Sequence, residues 1–208
     1  GDLYDANLPV HCAFDLGFTD ATVCIWFQLG KDGTTRLVAC EMTTGVNIFY
    51  HIEKLHAFPG EIGDVFLPHD ARAKNLQTGR SIVEQFLKEG ITPRVVPNHK
   101  VRDGIAAVRR LFPTITVDTG TTGDLLEAMK SYRRQWNDNL GIFSDIPLHD
   151  WASDYCDCLR YVAMACAMLG FQAVANSKAG AIAPSLGYNL ETLHEDNAWK
   201  FESTRRIA

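Results

Sequence analysis

Four aspartates stand at the ends of predicted secondary structure, where carboxylates can meet and bind a cation. Asp15 follows one short apolar run, and Asp70 follows another. Asp154 and Asp157 lie three positions apart in a helical run, a spacing that puts them on one helix face. Open α/β sheets place ligands beyond the carboxyl ends of their strands. We therefore predict that these four side chains cluster if the first and fourth strands are neighbours.

Clustered carboxylates repel one another, and this repulsion indicates what they would bind. At about 4 Å, each pair costs roughly 4 kcal/mol at an effective dielectric constant near ~20. Holding three or four of them together requires protonation or a bound cation. Hard divalent cations with oxygen ligands, Mg²⁺ or Mn²⁺, suit such a site. Two such ions can activate water and stabilise the leaving 3′-oxygen of a phosphodiester, so the cluster favours a nuclease.

The elements that must position these acids are predicted from hydrophobic periodicity. Strands at residues 10–14, 21–29 and 36–41, with a Lys31-Asp-Gly33 turn, form an antiparallel three-strand meander. Beyond it we expect, in order, a helix at 45–58, a strand at 64–67, a helix capped by Thr78 and ended by Gly90, a strand at 94–96, a helix capped by Asp103 and running to Leu111, a strand at 115–117, a helix at 124–136, a polar loop at 137–150 and a helix at 153–169. This order predicts a mixed sheet, with the meander joined by parallel strands and flanked by helices.

Length and composition bound the function. The chain has 208 residues, enough for one α/β domain, which we predict over residues 1–172 with a weakly packed extension over 173–208. The net charge of −5 argues against a protein that coats DNA by bulk electrostatics. The six cysteines include no CxxC pair, so no structural zinc site is expected. The longest apolar run, residues 161–171, is too short to cross a bilayer, and we expect a soluble, intracellular protein.

Several sequence segments resemble one known family. They are AFDLGFTDAT at residues 13–22, FLPHDA at 66–71 and LHDWASDYCDCLRY at 148–161, with QTGR at 77–80, VVPN at 95–98, DGI at 103–105 and YRRQW at 132–136 between them. In this order they resemble the C-terminal nuclease domain of bacteriophage terminase large subunits, from Val10 to about Leu169. The resemblance implies an RNase H-like fold, whose order of strands and helices the prediction matches.

The resemblance also implies a site and a function. Family members hold two divalent cations, Mg²⁺ or Mn²⁺, with acids that correspond to Asp15, Asp70, Asp154 and Asp157. Many of them have histidine at the position of Asp154, so we rank Asp157 above Asp154 as a ligand. The expected activity is endonucleolytic cleavage of concatemeric viral DNA during packaging, in the cytoplasm of the infected host. Expected partners are double-stranded DNA, an ATPase domain, the portal and the small terminase subunit; no GxxxxGK[ST] motif occurs in this sequence.

Further residues could support this site or bind DNA. His69, His149 and Asp20 stand close to the acids in sequence and are candidates for orienting a ligand, and Asp150 is expected to cap a helix. Contact with DNA should be mainly to phosphates and largely independent of sequence. The cationic candidates are Lys100, Arg102, Arg109, Arg110, Lys130, Arg133 and Arg134.

Three alternatives stay open. A Holliday-junction resolvase or an RNase H could share the acidic cluster, with Glu53 as the one candidate for the extra carboxylate that RNase H carries in its first crossover helix. A sugar kinase or actin-like ATPase also begins a strand with Asp-x-Gly, as Asp15 and Gly17 do here, but it needs two such subdomains. A non-catalytic module that docks on the portal would bind no metal and cleave no DNA.

Overall fold

A mixed six-stranded β-sheet forms the centre of the protein. The computed structural model describes residues 3–17, 21–75 and 79–171. The strands of the sheet are β1 (Val10–Asp15), β2 (Thr22–Leu29), β3 (Thr35–Thr43), β4 (Ile62–Leu67), β5 (Arg94–Val95) and β6 (Ile115–Val117). They lie side by side in the order β5-β4-β1-β2-β3-β6.

The first three strands form the predicted antiparallel meander, and the others join it in parallel. β1 pairs with β2 and β2 with β3 in antiparallel register, with Gly33 at φ 83° in the turn between β2 and β3. β4 lies parallel to β1, β5 parallel to β4, and β6 parallel to β3. The predicted mixed sheet is therefore confirmed, and its first and fourth strands are neighbours.

Helices cover both faces of the sheet. They are α1 (Ile48–Ala57), α2 (Ile82–Lys88), α3 (Val101–Leu111), α4 (Gly123–Ser131) and α5 (Trp151–Met168), with short 3₁₀ helices at His69–Arg72 and Phe112–Thr114. One core joins the sheet to α3, α4 and α5, and a second core joins its other face to α1 and α2. Within the described ranges, no helix has the length and apolarity needed to span a membrane.

Strand alternation in β1 fixes the direction of the catalytic candidate at its end. Ala13 is fully buried in the core formed with α5, whereas Cys12 and Phe14 are buried in the opposite core. Successive side chains of a strand point to opposite faces. Asp15 therefore lies on the same face as Ala13 and is directed towards α5.

The region before α5 differs from the sequence-based prediction. The helix expected at residues 124–136 ends at Ser131, and a hairpin of β7 (Arg134–Asn137) and β8 (Ile142–Pro147) replaces its last turn and much of the expected polar loop. The side chain of Asn137 accepts hydrogen bonds from the backbone of Asn139 and Leu140, and Gly141 has φ 62°. This local turn chemistry favours a hairpin over continued helix.

Two predicted helix caps are also wrong. Helix α2 is capped by Ser81 rather than Thr78, because Ser81 and Glu84 form a reciprocal capping box. Helix α3 begins after Lys100, which places Asp103 in the first turn rather than at the cap. The predicted C-terminal extension over residues 173–208 lies outside the described residues.

Candidate active site

The site is built around Asp15, the last residue of β1. Its carboxyl is partly buried at the end of the strand, on the α5 face of the sheet. Burial raises the pKa of Asp15 to about 7, and the nearby carboxylate of Asp157 contributes to the rise, while Arg160 opposes it. Asp154 and Asp70 add smaller contributions that also raise the pKa of Asp15. The four predicted carboxylates therefore act on one another electrostatically.

The parallel pairing of β1 with β4 brings Asp70 to the same edge of the sheet as Asp15. Ala13 is in register with Phe66, so the two strands end side by side. Asp70 follows as the second residue of the 3₁₀ turn after β4 and is exposed to solvent. This placement is what the sequence predicted for neighbouring strands.

The start of α5 is fixed by a capping box, which sets the positions of the other two acids. Asp150 accepts a hydrogen bond from the backbone of Ala152, and Ser153 donates from its side chain to the carbonyl of Asp150 at 2.7 Å. Asp154 then lies in the first turn of α5, and Asp157 lies in the next. Both are partly buried.

A buried thiol next to Asp157 anchors α5 to the sheet. The Sγ of Cys158 donates to the carbonyl oxygens of Ala13, at 3.2 Å, and Val23, at 3.5 Å. Cys158 is fully buried, and burial raises the pKa of its thiol well above the usual value, so it stays protonated and can donate. Since Asp157 precedes Cys158, this contact brings its backbone close to the end of β1.

Arg160 is the main residue of the site that the sequence analysis missed. Its side chain is only 10% exposed, and its Nε and Nη2 donate to one oxygen of Asp157 at 3.1 and 2.7 Å. Its positive charge lowers the pKa of Asp15 against the effects of burial and the other acids. The i, i+3 spacing of Asp157 and Arg160 was visible in the sequence, but it does not distinguish a buried pair from an exposed one.

Two tyrosines border the carboxylates. The hydroxyl of Tyr132 lies 3.5 Å from Oδ1 of Asp157, and burial followed by the charge of Asp157 raises its pKa. Burial also raises the pKa of Tyr161, and the charges of Asp15 and Asp70 raise it further. Both phenols are therefore neutral near pH ~7 and can act only as hydrogen-bond partners there.

The donor set has the chemistry of a divalent-cation site, although its atoms are not in ligating positions. All four groups are carboxylates, the ligands that hard divalent cations prefer. Over residues 3–17, 21–75 and 79–171, no three histidine, cysteine, aspartate or glutamate side chains are close enough to hold a metal ion as they stand. Asp157 is paired with Arg160 instead. A cation would therefore require a side chain such as that of Asp157 to rotate.

The other candidates are placed as follows. His69 is exposed at the start of the 3₁₀ turn that carries Asp70. The Nδ1 of His149 lies 3.0 Å from the hydroxyl of Ser153, so this histidine supports the start of α5. Asp20 lies outside the described residues, and Asp150 is the predicted helix cap.

The predicted DNA-binding cations lie on helices α3 and α4 and on the start of the hairpin. Lys100, Arg102, Arg109 and Arg110 belong to α3 or its cap and are exposed. Lys130, Arg133 and Arg134 are exposed on α4 and the segment that leads into β7. Lys130 pairs with Glu127 at 2.7 Å, and Arg133 pairs with Asp150 at 3.3 Å. Both α3 and α4 pack against α5 and so flank the helix that carries Asp154 and Asp157.

Solved nuclease domains of bacteriophage large terminases share this fold. The P22 large terminase nuclease domain is similar with a TM-score of 0.57 and 20% sequence identity, over 82% of this chain and 86% of that one. The large terminase nuclease of thermophilic phage G20c with bound cobalt has a TM-score of 0.53 and 16% identity, over 77% and 82% of the two chains. The nuclease domain of the phage SPP1 large terminase with bound manganese has a TM-score of 0.51 and 14% identity, over 74% and 84%.

The large terminase of another thermophilic bacteriophage is similar over a smaller share of its length. Its TM-score is 0.57 at 16% identity, over 79% of this chain and 44% of that one, so the chain spans less than half of that terminase. No family model matches the chain, and no curated protein sequence matches it. At these identities the likeness defines the fold, and it confirms the predicted RNase H-like architecture of large terminase nuclease domains.

Proposed function

We propose that this chain is a divalent-metal-dependent DNA endonuclease that cleaves concatemeric viral DNA during genome packaging. The observation that carries the proposal is the convergence of three acids on Asp15, in a fold shared with large terminase nuclease domains. Two of those domains were solved with bound cobalt or manganese. A partly buried carboxyl with a pKa of about 7 needs a proton or a cation, and a divalent cation would supply the stronger compensation.

The residues that would hold two Mg²⁺ or Mn²⁺ ions are Asp15, Asp70, Asp154 and Asp157. Bound ions would activate a water molecule and stabilise the leaving oxygen of the phosphodiester. Asp15 is held by β1 and Asp70 by the turn after β4, so a rigid sheet edge sets the separation of their backbones. The capping box and the Cys158 contact fix α5 against that edge. The chain thus provides a preorganised backbone on which only side chains need to move.

The proposed substrate is double-stranded DNA, contacted mainly through its phosphates. The cations that would make these contacts are Lys100, Arg102, Arg109, Lys130, Arg133 and Arg134. In a full terminase, an ATPase domain, the portal and the small subunit would be the partners, in the cytoplasm of the infected host. We further propose that residues 1–172 form the nuclease domain. Among the alternatives, RNase H is disfavoured because Glu53 is exposed on α1, which packs on the sheet face opposite α5.

Plasmid cleavage tests the proposal. The wild-type chain should cut plasmid DNA with Mn²⁺ or Mg²⁺ and should not cut it in EDTA. Asp15→Asn and Asp70→Asn should each lower the rate by orders of magnitude, because each would remove a metal ligand. Asp145→Asn is a matched control, since Asp145 is exposed on β8 of the separate hairpin. Wild-type rates in Asp15→Asn or Asp70→Asn would contradict the site assignment, and a wild-type chain that neither binds Mn²⁺ nor cuts DNA would contradict the function.

A further inference from the structure

Arg160 is buried in a position that exposed ion pairs do not share. Pairs at i, i+3 on a helix surface contribute little, because water screens them. Here the guanidinium is 10% exposed, and both its Nε and its Nη2 donate to Oδ1 of Asp157. Removing a guanidinium from water is costly unless close anionic partners compensate. Its burial therefore depends on the carboxylates of the site.

Helix α3 leaves the space that Arg160 occupies. Gly104 is buried where α3 packs on α5, and a Cβ at this position would lie 3.0 Å from Cδ and 3.2 Å from Cβ of Arg160. The same Cβ would lie 3.0 Å from Nε2 of His99. A side chain at residue 104 would therefore press on the aliphatic part of Arg160. The absence of one lets the arginine lie between the helices and reach Asp157.

Arg160 and a divalent cation would compete for the same carboxylate. The described acids are not in ligating positions, and Oδ1 of Asp157 accepts two hydrogen bonds from Arg160 and a longer one from Tyr132. A cation that used Asp157 would have to take that oxygen from Arg160 or rotate the carboxylate away from it. Either movement breaks a charge-assisted hydrogen bond.

We propose that Arg160 is an internal counter-ion of the carboxylate cluster that holds Asp157 in the metal-free protein and yields it to the incoming cation. Arg160 is thus a positioning residue that acts through Asp157. Its presence stabilises the metal-free fold and weakens cation binding. This inference rests on the proposed metal-dependent function, because it assumes that Asp157 is a ligand.

The test is a double-mutant cycle on Mn²⁺ affinity, measured on the metal-free protein by calorimetry or by the electron paramagnetic resonance of free Mn²⁺. Arg160→Gln should tighten Mn²⁺ binding by about tenfold, the size expected for the loss of one competing charge-assisted contact. The same variant should lower the melting temperature in EDTA. In an Asp157→Asn background, Arg160→Gln should change the affinity by less than about threefold. Tyr132→Phe is the control, since it removes an uncharged contact to the same oxygen and should change the affinity by less than about twofold.

Each outcome decides the matter. Unchanged or weaker binding in Arg160→Gln overturns the proposal, because Arg160 would then have a purely structural or ligand-orienting role. A tenfold gain that persists in full without Asp157 also overturns it, since through-space repulsion alone would explain that result. If Arg160→Gln does not fold, Arg160→Lys keeps the charge but loses the planar fork, and it should still tighten Mn²⁺ binding measurably. If the wild-type chain binds no Mn²⁺, the proposed function fails instead, which the wild-type measurement shows by itself.

Discussion

The raised pKa of Asp15 predicts that the metal-free protein loses stability as the pH rises towards neutrality. In the unfolded chain this carboxyl has an ordinary pKa of 3.8, and in the folded protein burial and the charge of Asp157 raise it to about 7. The folded state therefore binds the proton more tightly than the unfolded state does. By linkage, the stabilising effect of this proton is fully present below the unfolded pKa and is lost as the pH rises through about 7.

The magnitude follows from the size of the shift. Each pKa unit corresponds to about 1.4 kcal/mol, so a shift of about three units sets an upper limit of roughly 4 kcal/mol on the loss. Asp15 is partly exposed at the end of β1, and solvent screening reduces that limit to about 2–4 kcal/mol. Asp15→Asn has nearly the same shape and no charge at any pH. It should match the wild type near pH ~4 and exceed its free energy of unfolding by this amount near pH ~8.

Urea denaturation in EDTA, repeated between about pH 4 and 8, measures this difference. Burial lowers the pKa of His11 and His51, so both residues make the protein less stable as the pH falls through their range, but this contribution is the same in wild type and variant. Subtracting the two curves isolates Asp15. Asp145→Asn, on the exposed hairpin, should follow the wild type throughout. Parallel curves for wild type and Asp15→Asn at every pH would refute the reasoning, because Asp15 would then titrate equally in both states.

Two further predictions concern packing and DNA contact. Gly104→Val should lower the free energy of unfolding by about 2 kcal/mol, because its side chain would press on Arg160 and His99, whereas Ala106→Val at a less buried position of α3 should cost under about 1 kcal/mol; equal effects in chemical denaturation would argue against tight packing at Gly104. Binding to duplex DNA in Ca²⁺, measured from about 25 to 200 mM salt, should be weak, with a log–log slope of about −2 to −4 that the double variant Arg102→Glu, Arg109→Glu reduces; a salt-insensitive or strongly sequence-selective interaction would contradict phosphate-mediated contact.

The sheet and the approach of the four acids could be predicted because short-range patterns determine them. Apolar runs with β-branched residues define β1 to β4, and an Asp-Gly turn defines the meander. Once β1 and β4 are neighbours, the residues just after them must share an edge of the sheet. The spacing of Asp154 and Asp157 likewise fixes a common helix face. Their roles as metal ligands stay predictions, since the structure establishes proximity and not ligation.

The hairpin could not be predicted, because its residues satisfy two patterns at once. Residues 124–136 contain apolar side chains at helical spacing, which outweighed the turn residues that follow. Asn137 and Gly141 decide the outcome, since one bonds to the backbone of the turn and the other adopts a positive φ. The hairpin also leaves large apolar side chains exposed, including Leu140 at 67% and Ile146 at 64%, which no burial-based prediction anticipates.

Arg160 shows why the electrostatics of a site need the tertiary fold. Along the sequence it is one basic residue three positions after an acid, which is the ordinary pattern of a solvated helix face. Only the packing of α3 on α5, permitted by Gly104, removes it from water and places its charge among carboxylates. Burial then strengthens both the attraction to Asp157 and the repulsion that raises the pKa of Asp15. One guanidinium cannot balance four carboxylates, so the cluster keeps a negative excess that a proton on Asp15 relieves near neutral pH and that a divalent cation would relieve more fully.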